Sequence, residues 1–318
     1  MRVMETNLTL TLILSPRGER RRKSKSEKED NAMEIKKVGI LGATGTMGRG
    51  IVQICAQAGY QVVASSRDKK RLNDALAFID STLARSVERG RLTKEAKDAT
   101  LSKIQGTTDT LDFRDCDLVI EVAAEDLEIK KKSFAELDKI CKKEAILATN
   151  TSVLPVTEIA KSTSRPDKVV GLHFFNPAPV MKLVEIIRTN IVSSDTIETS
   201  KKFAVSLEKT PVVVVDVAGF IVNRLAVPFM LNAMQLLEQG VASAQDIDTA
   251  VTLGLNHPMG PLALSDLIGN DIVLSMADGI YKALKDDRYI APAILKKLVA
   301  EGKLGRKSGK GFYDYSKK

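Results

Sequence analysis

Histidine and cysteine are scarce in this chain of 318 residues, and their scarcity removes whole classes of site. The two histidines, His173 and His257, are too few for a metal centre built on several imidazoles, so no metal site is predicted. The three cysteines, Cys55, Cys116 and Cys141, are widely spaced within apolar stretches, which predicts buried thiols rather than zinc ligands or disulfides. Because unpaired cysteines favour a reducing compartment, we expect a cytoplasmic protein.

Long hydrophobic runs are also missing, and no membrane span is predicted. The apolar stretch at residues 8–14 is too short to cross a bilayer, and the basic run at residues 20–23 follows it, whereas a secretory signal has the reverse order. Residues 1–32 differ in composition from the rest of the chain. We interpret them as a disordered extension, with the folded protein starting near Met33.

The net charge of +8 is unevenly distributed. Residues 1–32 contain eight Lys and Arg against five acidic residues, and the remaining excess of positive charge is spread along the chain. A dispersed positive charge suits a small anionic substrate better than a nucleic acid, so no nucleic-acid partner is predicted.

From Met33 onward, short apolar runs alternate with helical patterns, which is typical of a parallel sheet covered by helices on both faces. Strands are predicted at residues 38–41, 61–64, 118–122, 145–148, 168–175, 182–187 and 211–215. After Asp216 the strand patterns stop, and residues 219–238, a stretch opened by the capping box at Ser243, and residues 261–284 are predicted to be helical. The predicted fold class is therefore α/β, with a Rossmann-type, doubly wound, mostly parallel sheet in residues 33–216 and an all-helical domain in residues 217–318.

A glycine-rich loop separates the first strand from the first helix. Glycines at this position allow a sharp turn and a close approach of the backbone to a pyrophosphate at the helix N-terminus. The spacing G-x-x-G-x-x-G is one residue longer than the usual fingerprint, but the strand–loop–helix context indicates dinucleotide binding. The predicted cofactor contacts in the loop are Gly42, Thr44, Gly45, Thr46, Met47 and Gly48.

The end of the second strand bears on the choice of cofactor. An NAD site usually has an acid there against the ribose hydroxyls, whereas this chain has Ser65, Ser66 and Arg67. Hydroxyl and guanidinium groups can bind a 2′-phosphate that a carboxylate would repel, so we predict a preference for NADP(H). The alternative is NAD(H), with Asp68 holding the ribose and Arg67 as a surface charge.

A histidine and a glutamate, twelve residues apart, are the candidate acid–base pair. His173 lies at the end of an apolar strand, where doubly wound sheets bind ligands. Glu185 lies within an apolar run, where an unpaired carboxylate would be costly. Pairing the two would orient the imidazole and favour its protonated form. From spacing alone, a lone histidine on a strand is more often structural than catalytic.

Five ordered motifs resemble the short-chain 3-hydroxyacyl-CoA dehydrogenases, in particular the bacterial 3-hydroxybutyryl-CoA dehydrogenases. They are residues 149–152 (TNTS), 173–185 (HFFNPAPVMKLVE), 219–224 (GFIVNR), 256–261 (NHPMGP) and 305–313 (GRKSGKGFY). The resemblance implies interconversion of 3-hydroxybutyryl-CoA and acetoacetyl-CoA with a nicotinamide cofactor, and a homodimer. An oxidoreductase of the same superfamily acting on a sugar acid is the alternative.

The resemblance also implies residue roles. His173 would be the general acid/base, Glu185 its partner, and Ser152 and Asn223 would hydrogen-bond the substrate oxygens. The positions implied to line the cofactor are Glu125, Lys130, Asn176 and Lys307. Thr82 and Arg89 match positions that contact coenzyme A, although a solvated helix face explains them nearly as well.

Overall fold

A single mixed sheet forms the framework of the protein, which is described by a computed structural model over residues 33–316. The extension predicted at residues 1–32 lies outside this described part. The strands are β1 (Lys37–Leu41), β2 (Gln61–Ser65), β3 (Ile104–Thr107), β4 (Leu118–Glu121), β5 (Ile146–Thr149), β6 (Val169–Phe174), β7 (Leu183–Arg188) and β8 (Thr210–Val215).

The strand order is β3-β2-β1-β4-β5-β6-β7-β8. Strand β1 pairs in parallel with both β2 and β4, so the direction of winding reverses between β1 and β4. In open sheets of this kind, ligands bind at the carboxyl ends of the strands beside such a switch point. Strand β7 is antiparallel to β6 and parallel to β8. The predicted doubly wound, mostly parallel sheet is confirmed.

Helices cover both faces of the sheet because alternate side chains of its central strands enter two different cores. Leu118 and Ile120 of β4 pack in a cluster that includes Ile51, whereas Val119 joins the cluster around Phe134. The helices are α1 (Thr46–Gln57), α2 (Lys69–Glu88), α3 (Lys94–Ser102), α4 (Leu127–Ile140), α5 (Val156–Ala160) and α6 (Ser194–Ser206).

After β8 the described chain is helical, as predicted. The helices are α7 (Val222–Glu238), α8 (Ala244–Gly254), α9 (Pro261–Ile268), α10 (Asn270–Leu284) and α11 (Ala293–Ala300). Ser243 accepts a hydrogen bond from the backbone N–H of Asp246, which is the predicted cap. The helical stretch expected at residues 261–284 is divided in two, because Gly269 adopts a φ of +109° that ends one helix before the next begins.

The C-terminal motif is held against these helices by a buried carboxylate. Asp266 of α9 is 1 % exposed and accepts hydrogen bonds from the backbone N–H groups of Phe312 and Tyr313 and from the hydroxyl of Tyr315. The motif at residues 305–313 therefore contributes to the helical core.

The three cysteines are buried and unpaired, as expected. Burial raises the pKa of Cys116 to about 12 and that of Cys141 to about 11, so neither thiol is reactive at neutral pH. Across residues 33–316, none of the helices has both the length and the apolar character needed to cross a bilayer.

Candidate active site

The glycine loop turns sharply at the carboxyl end of β1. Gly42 adopts a φ of +96°, and a Cβ there would lie 2.9 Å from the carbonyl carbon of Val122. The N–H groups of Gly42 and Ala43 donate to the carbonyl of Ser65, at 3.2 and 3.0 Å. These bonds fix the loop against the end of β2, where the ribose of a dinucleotide would be expected.

The N-terminus of α1 is open to an anion. Its N-cap residue, Gly45, has no side chain to cap the helix, is exposed, and has nothing within 4 Å of where a Cβ would stand. By contrast, a Cβ at Gly48 would collide with the carbonyl oxygen of Gly42. Thr46 begins the helix, with Thr44 and Met47 half-buried on either side of it. The loop therefore fits a dinucleotide pyrophosphate.

The first carboxylate after the end of β2 is that of Asp68, which caps the next helix. Ser65 is buried, Ser66 is half-buried, and Arg67 is exposed. Asp68 is the N-cap of α2, and its carboxylate accepts from the N–H of Arg71 at 3.0 Å.

His173 and Glu185 face each other directly across β6 and β7, which the antiparallel register pairs residue to residue. The imidazole Nδ1 lies 2.7 Å from Oε2 of Glu185, and both residues are buried, at 4 % and 0 % exposure. The rings of Phe175 and Phe220 lie 4.6 and 5.4 Å from the imidazole. This apolar enclosure and the carboxylate hold the imidazole in one orientation.

The second oxygen of Glu185 reaches the helical part of the chain. Oε1 accepts hydrogen bonds from the N–H groups of Ile221 and Val222, each at 3.0 Å. These groups point at the carboxylate because Gly219 and Phe220 both take positive φ values, +78° and +49°, just before α7. The start of α7 is thereby attached to Glu185, and Asn223, which is 9 % exposed, is the second residue of that helix.

Ser152 lies beside the other imidazole nitrogen. Its Oγ is 3.3 Å from Nε2 of His173. Its loop follows β5 and is anchored by Glu125, whose Oε1 accepts from Oγ1 of Thr151 at 2.5 Å and from the N–H of Ser152 at 2.8 Å. Direct contacts therefore join Ser152, His173 and Glu185, whereas Asn223 is connected to them only through the backbone of its neighbour Val222.

A buried ion pair behind Glu125 was not foreseen. Lys130 and Glu121 have no exposed side-chain surface, and the ammonium lies 2.9 and 2.8 Å from the two carboxylate oxygens. Lys130 also lies 3.6 Å from Glu125, and Thr149 donates to Glu121. Glu121, like Glu185, is a carboxylate within an apolar run of the sequence, and this pattern predicts that it is buried with a partner.

The remaining predicted residues lie apart from the dyad formed by His173 and Glu185. Asn176 is exposed in the connection between β6 and β7. The ammonium of Lys307 lies 2.7 Å from Asp271 at the start of α10. Thr82 donates to the carbonyl of Phe78 within α2, and Arg89 is the exposed C-cap of that helix. The roles of these four residues stay predictions.

A Rossmann sheet with an open glycine loop and a histidine–carboxylate pair at its carboxyl edge defines a nicotinamide-dependent oxidoreductase. Sequence comparison agrees: the NAD-binding domain of 3-hydroxyacyl-CoA dehydrogenase matches residues 37–217, and the C-terminal domain of the same family matches residues 219–315. The chain belongs to the 3-hydroxyacyl-CoA dehydrogenase family.

Individual relatives cover nearly the whole folded chain. A 3-hydroxybutyryl-CoA dehydrogenase of Clostridioides difficile is 47 % identical over 281 residues, covering 88 % of this chain and 100 % of that protein. The FadB2 structure of Mycobacterium tuberculosis superposes with a TM-score of 0.87 at 41 % identity, covering 89 % of this chain and 100 % of the other. The (S)-3-hydroxybutyryl-CoA dehydrogenase of Ralstonia eutropha superposes with a TM-score of 0.85 at 40 % identity and the same coverage.

Two glycines of the loop are expected to respond differently to a methyl group. Gly45→Ala should change the free energy of unfolding by less than about 1 kcal/mol, because its Cβ meets open space. It should weaken cofactor binding at least about tenfold, because the methyl stands where the pyrophosphate would approach. Gly48→Ala should instead destabilise the fold by about 3 kcal/mol. Urea unfolding and cofactor titration measure both effects. A Gly45→Ala protein that binds cofactor like the parent would place the pyrophosphate elsewhere.

Proposed function

We propose that the protein interconverts (S)-3-hydroxyacyl-CoA and 3-oxoacyl-CoA, with the four-carbon pair 3-hydroxybutyryl-CoA and acetoacetyl-CoA as its substrates. The observation that carries the proposal is the series Ser152–His173–Glu185, with separations of 3.3 and 2.7 Å, at the carboxyl edge of the sheet. The names of the relatives from Clostridioides difficile and Ralstonia eutropha support the choice of the four-carbon substrate.

In this mechanism His173 exchanges the proton of the C3 hydroxyl through Nε2, the nitrogen that faces Ser152. Glu185 holds Nδ1 and stabilises the imidazolium that forms when the alcohol is oxidised. Ser152 and Asn223 donate to the oxygens of the substrate as charge develops on them. A nicotinamide cofactor, when bound, supplies the hydride acceptor or donor.

The exposure of each predicted cofactor residue indicates whether it could touch the nicotinamide directly. Glu125 and Asn176 are exposed at the sheet edge, so we propose that they line the nicotinamide half of the site. Because Lys130 is fully buried, we propose that it does not touch the cofactor but positions Glu125, through its ion pairs with Glu121 and Glu125. We propose that Lys307 contacts the cofactor, which requires its ammonium to break the ion pair with Asp271. Thr82 and Arg89 on α2 are proposed contacts of coenzyme A.

We also propose a homodimer formed through the helical part of the chain, residues 217–318, which we treat as a substrate and dimerisation domain. Large apolar side chains are exposed there, and apolar surface of this kind marks protein interfaces. These side chains include Leu225, Leu236, Val241, Leu253, Leu255 and Ile272. The three unpaired cysteines support a reducing, cytoplasmic location.

Replacing the proposed acid–base group tests the mechanism. His173→Gln keeps the size and a hydrogen bond to Glu185 but cannot shuttle a proton, so kcat for acetoacetyl-CoA reduction should fall about a thousandfold. The loss of absorbance as the reduced nicotinamide is oxidised measures the rate. The matched control is His257→Gln, at the other, exposed histidine, and it should turn over like the parent. A folded, cofactor-binding His173→Gln protein that keeps the parental rate would disprove the mechanism.

A preference for NADP(H) is the second part of the proposal. The carboxylate of Asp68 is engaged in capping α2, which leaves Ser66 and Arg67 to meet a 2′-phosphate. Binding the ribose of NAD(H) with both oxygens of Asp68 would break this cap, at a cost of about 1 kcal/mol.

Catalytic efficiency with NADPH and NADH, measured in parallel, tests this preference. NADPH should be favoured, and Arg67→Asp should shift the ratio toward NADH by about tenfold or more. Arg114→Asp makes the same charge change on an exposed arginine that precedes β4 and should leave the ratio unaltered. A parental preference for NADH above about tenfold would contradict the proposal.

A further inference from the structure

One buried charge has no part in the chemistry described above. Lys209 lies between α6 and β8 and is only 6 % exposed. Within residues 33–316, no carboxylate lies within ion-pair distance of its ammonium; the neighbouring Glu208 turns instead to Lys182, at 3.6 Å. A buried lysine without a carboxylate is costly, so its position needs an explanation other than charge pairing.

The partners of Lys209 are two backbone carbonyls of one loop. Its Nζ donates to the carbonyl oxygens of Ala178 and Met181, each at 2.7 Å. We call residues 175–182 the dyad loop, because this segment joins β6, which ends beside His173, to β7, which begins before Glu185. A single ammonium group thus binds the middle of the dyad loop, which connects the strand of His173 to the strand of Glu185.

Apolar packing does little to hold the same loop. Asn176, Val180 and Met181 are exposed, and Ala178 is the one residue between them that is fully buried, against α1 at Gly50. The loop's internal bonds run from the N–H groups of Val180 and Met181 to the carbonyl of Pro177. These bonds shape the turn but do not attach it to the sheet.

The backbone around Lys209 is itself fixed, so the ammonium is a rigid anchor. The N–H of Lys209 donates to the carbonyl of Ala204 at 3.0 Å, and the N–H of Thr210 donates to the carbonyl of Lys182 at 2.7 Å. Burial and the nearby charge of Lys182 lower the pKa of Lys209, so the surroundings disfavour its charged form. A methionine of similar length would avoid that cost but could not donate to either carbonyl.

We propose that Lys209 is a positioning residue: by binding the carbonyls of Ala178 and Met181, it fixes the dyad loop and so holds Asn176 against the nicotinamide half of the cofactor. This inference rests on the cofactor role proposed for Asn176. Lys209 itself touches neither substrate nor cofactor. Its effect should therefore fall on cofactor binding rather than on the binding of the acyl-CoA.

Direct titration with reduced cofactor tests the proposal without turnover. The chain has no tryptophan, so the fluorescence of the bound nicotinamide can be followed without overlap from indole emission. Lys209→Met should weaken binding about tenfold, whereas KM for acetoacetyl-CoA at saturating cofactor should change less than about twofold. The control Lys182→Met removes an exposed charge from the same loop and should bind cofactor like the parent.

A double-mutant cycle separates positioning from general stability. If Lys209 acts through Asn176, combining Lys209→Met with Asn176→Ala should weaken binding little more than Asn176→Ala alone. Additive losses, or a folded Lys209→Met protein with parental affinity, would overturn the inference. If Lys209→Met does not fold, Lys209→Gln replaces it, because the amide keeps two N–H donors. Lys209→Gln should bind cofactor about threefold more weakly than the parent. Parental cofactor affinity in this variant would also overturn the inference. A parent that binds cofactor but does not reduce acetoacetyl-CoA would instead refute the proposed function.

Discussion

The carboxylate of Glu185 is the contact on which the arrangement of the site depends. One oxygen meets the imidazole of His173, and the other receives the first two N–H groups that lead into α7. An isolated carboxylate with no exposed surface would be costly, and these three contacts offset that cost. Because α7 carries Asn223, a single side chain positions both the acid–base group and a candidate donor to the substrate.

The opposite side of the site depends on a second set of buried charges. Glu121 and Lys130 neutralise each other beneath the sheet edge, and Lys130 also approaches Glu125. Glu125 in turn holds the loop that places Ser152 beside His173. The two sides meet at the imidazole, which contacts Glu185 directly through Nδ1 and faces Ser152, held by Glu125, at Nε2. Such preorganised polar groups stabilise developing charge without having to rearrange during the reaction.

Local patterns predicted those parts of the fold that are governed by burial of apolar side chains. The apolar runs predict strands β6 and β7 and place His173 and Glu185 on them, and the cost of an unpaired carboxylate predicts that the two side chains pair. Strand β3 was not predicted, because it is an edge strand of four residues that includes Gln105 and Gly106. The partners of Lys130 and Lys209 were also invisible, because both lysines bind groups that only the tertiary fold brings near.

The most direct test of the central claim is the steady-state rate of a Glu185→Gln protein with acetoacetyl-CoA at saturating cofactor. The amide can still accept from the N–H groups of Ile221 and Val222, but it cannot stabilise an imidazolium at His173. The account predicts that kcat falls by about 100-fold or more while cofactor affinity is retained. A parental kcat in this variant would show that the carboxylate does not direct the histidine.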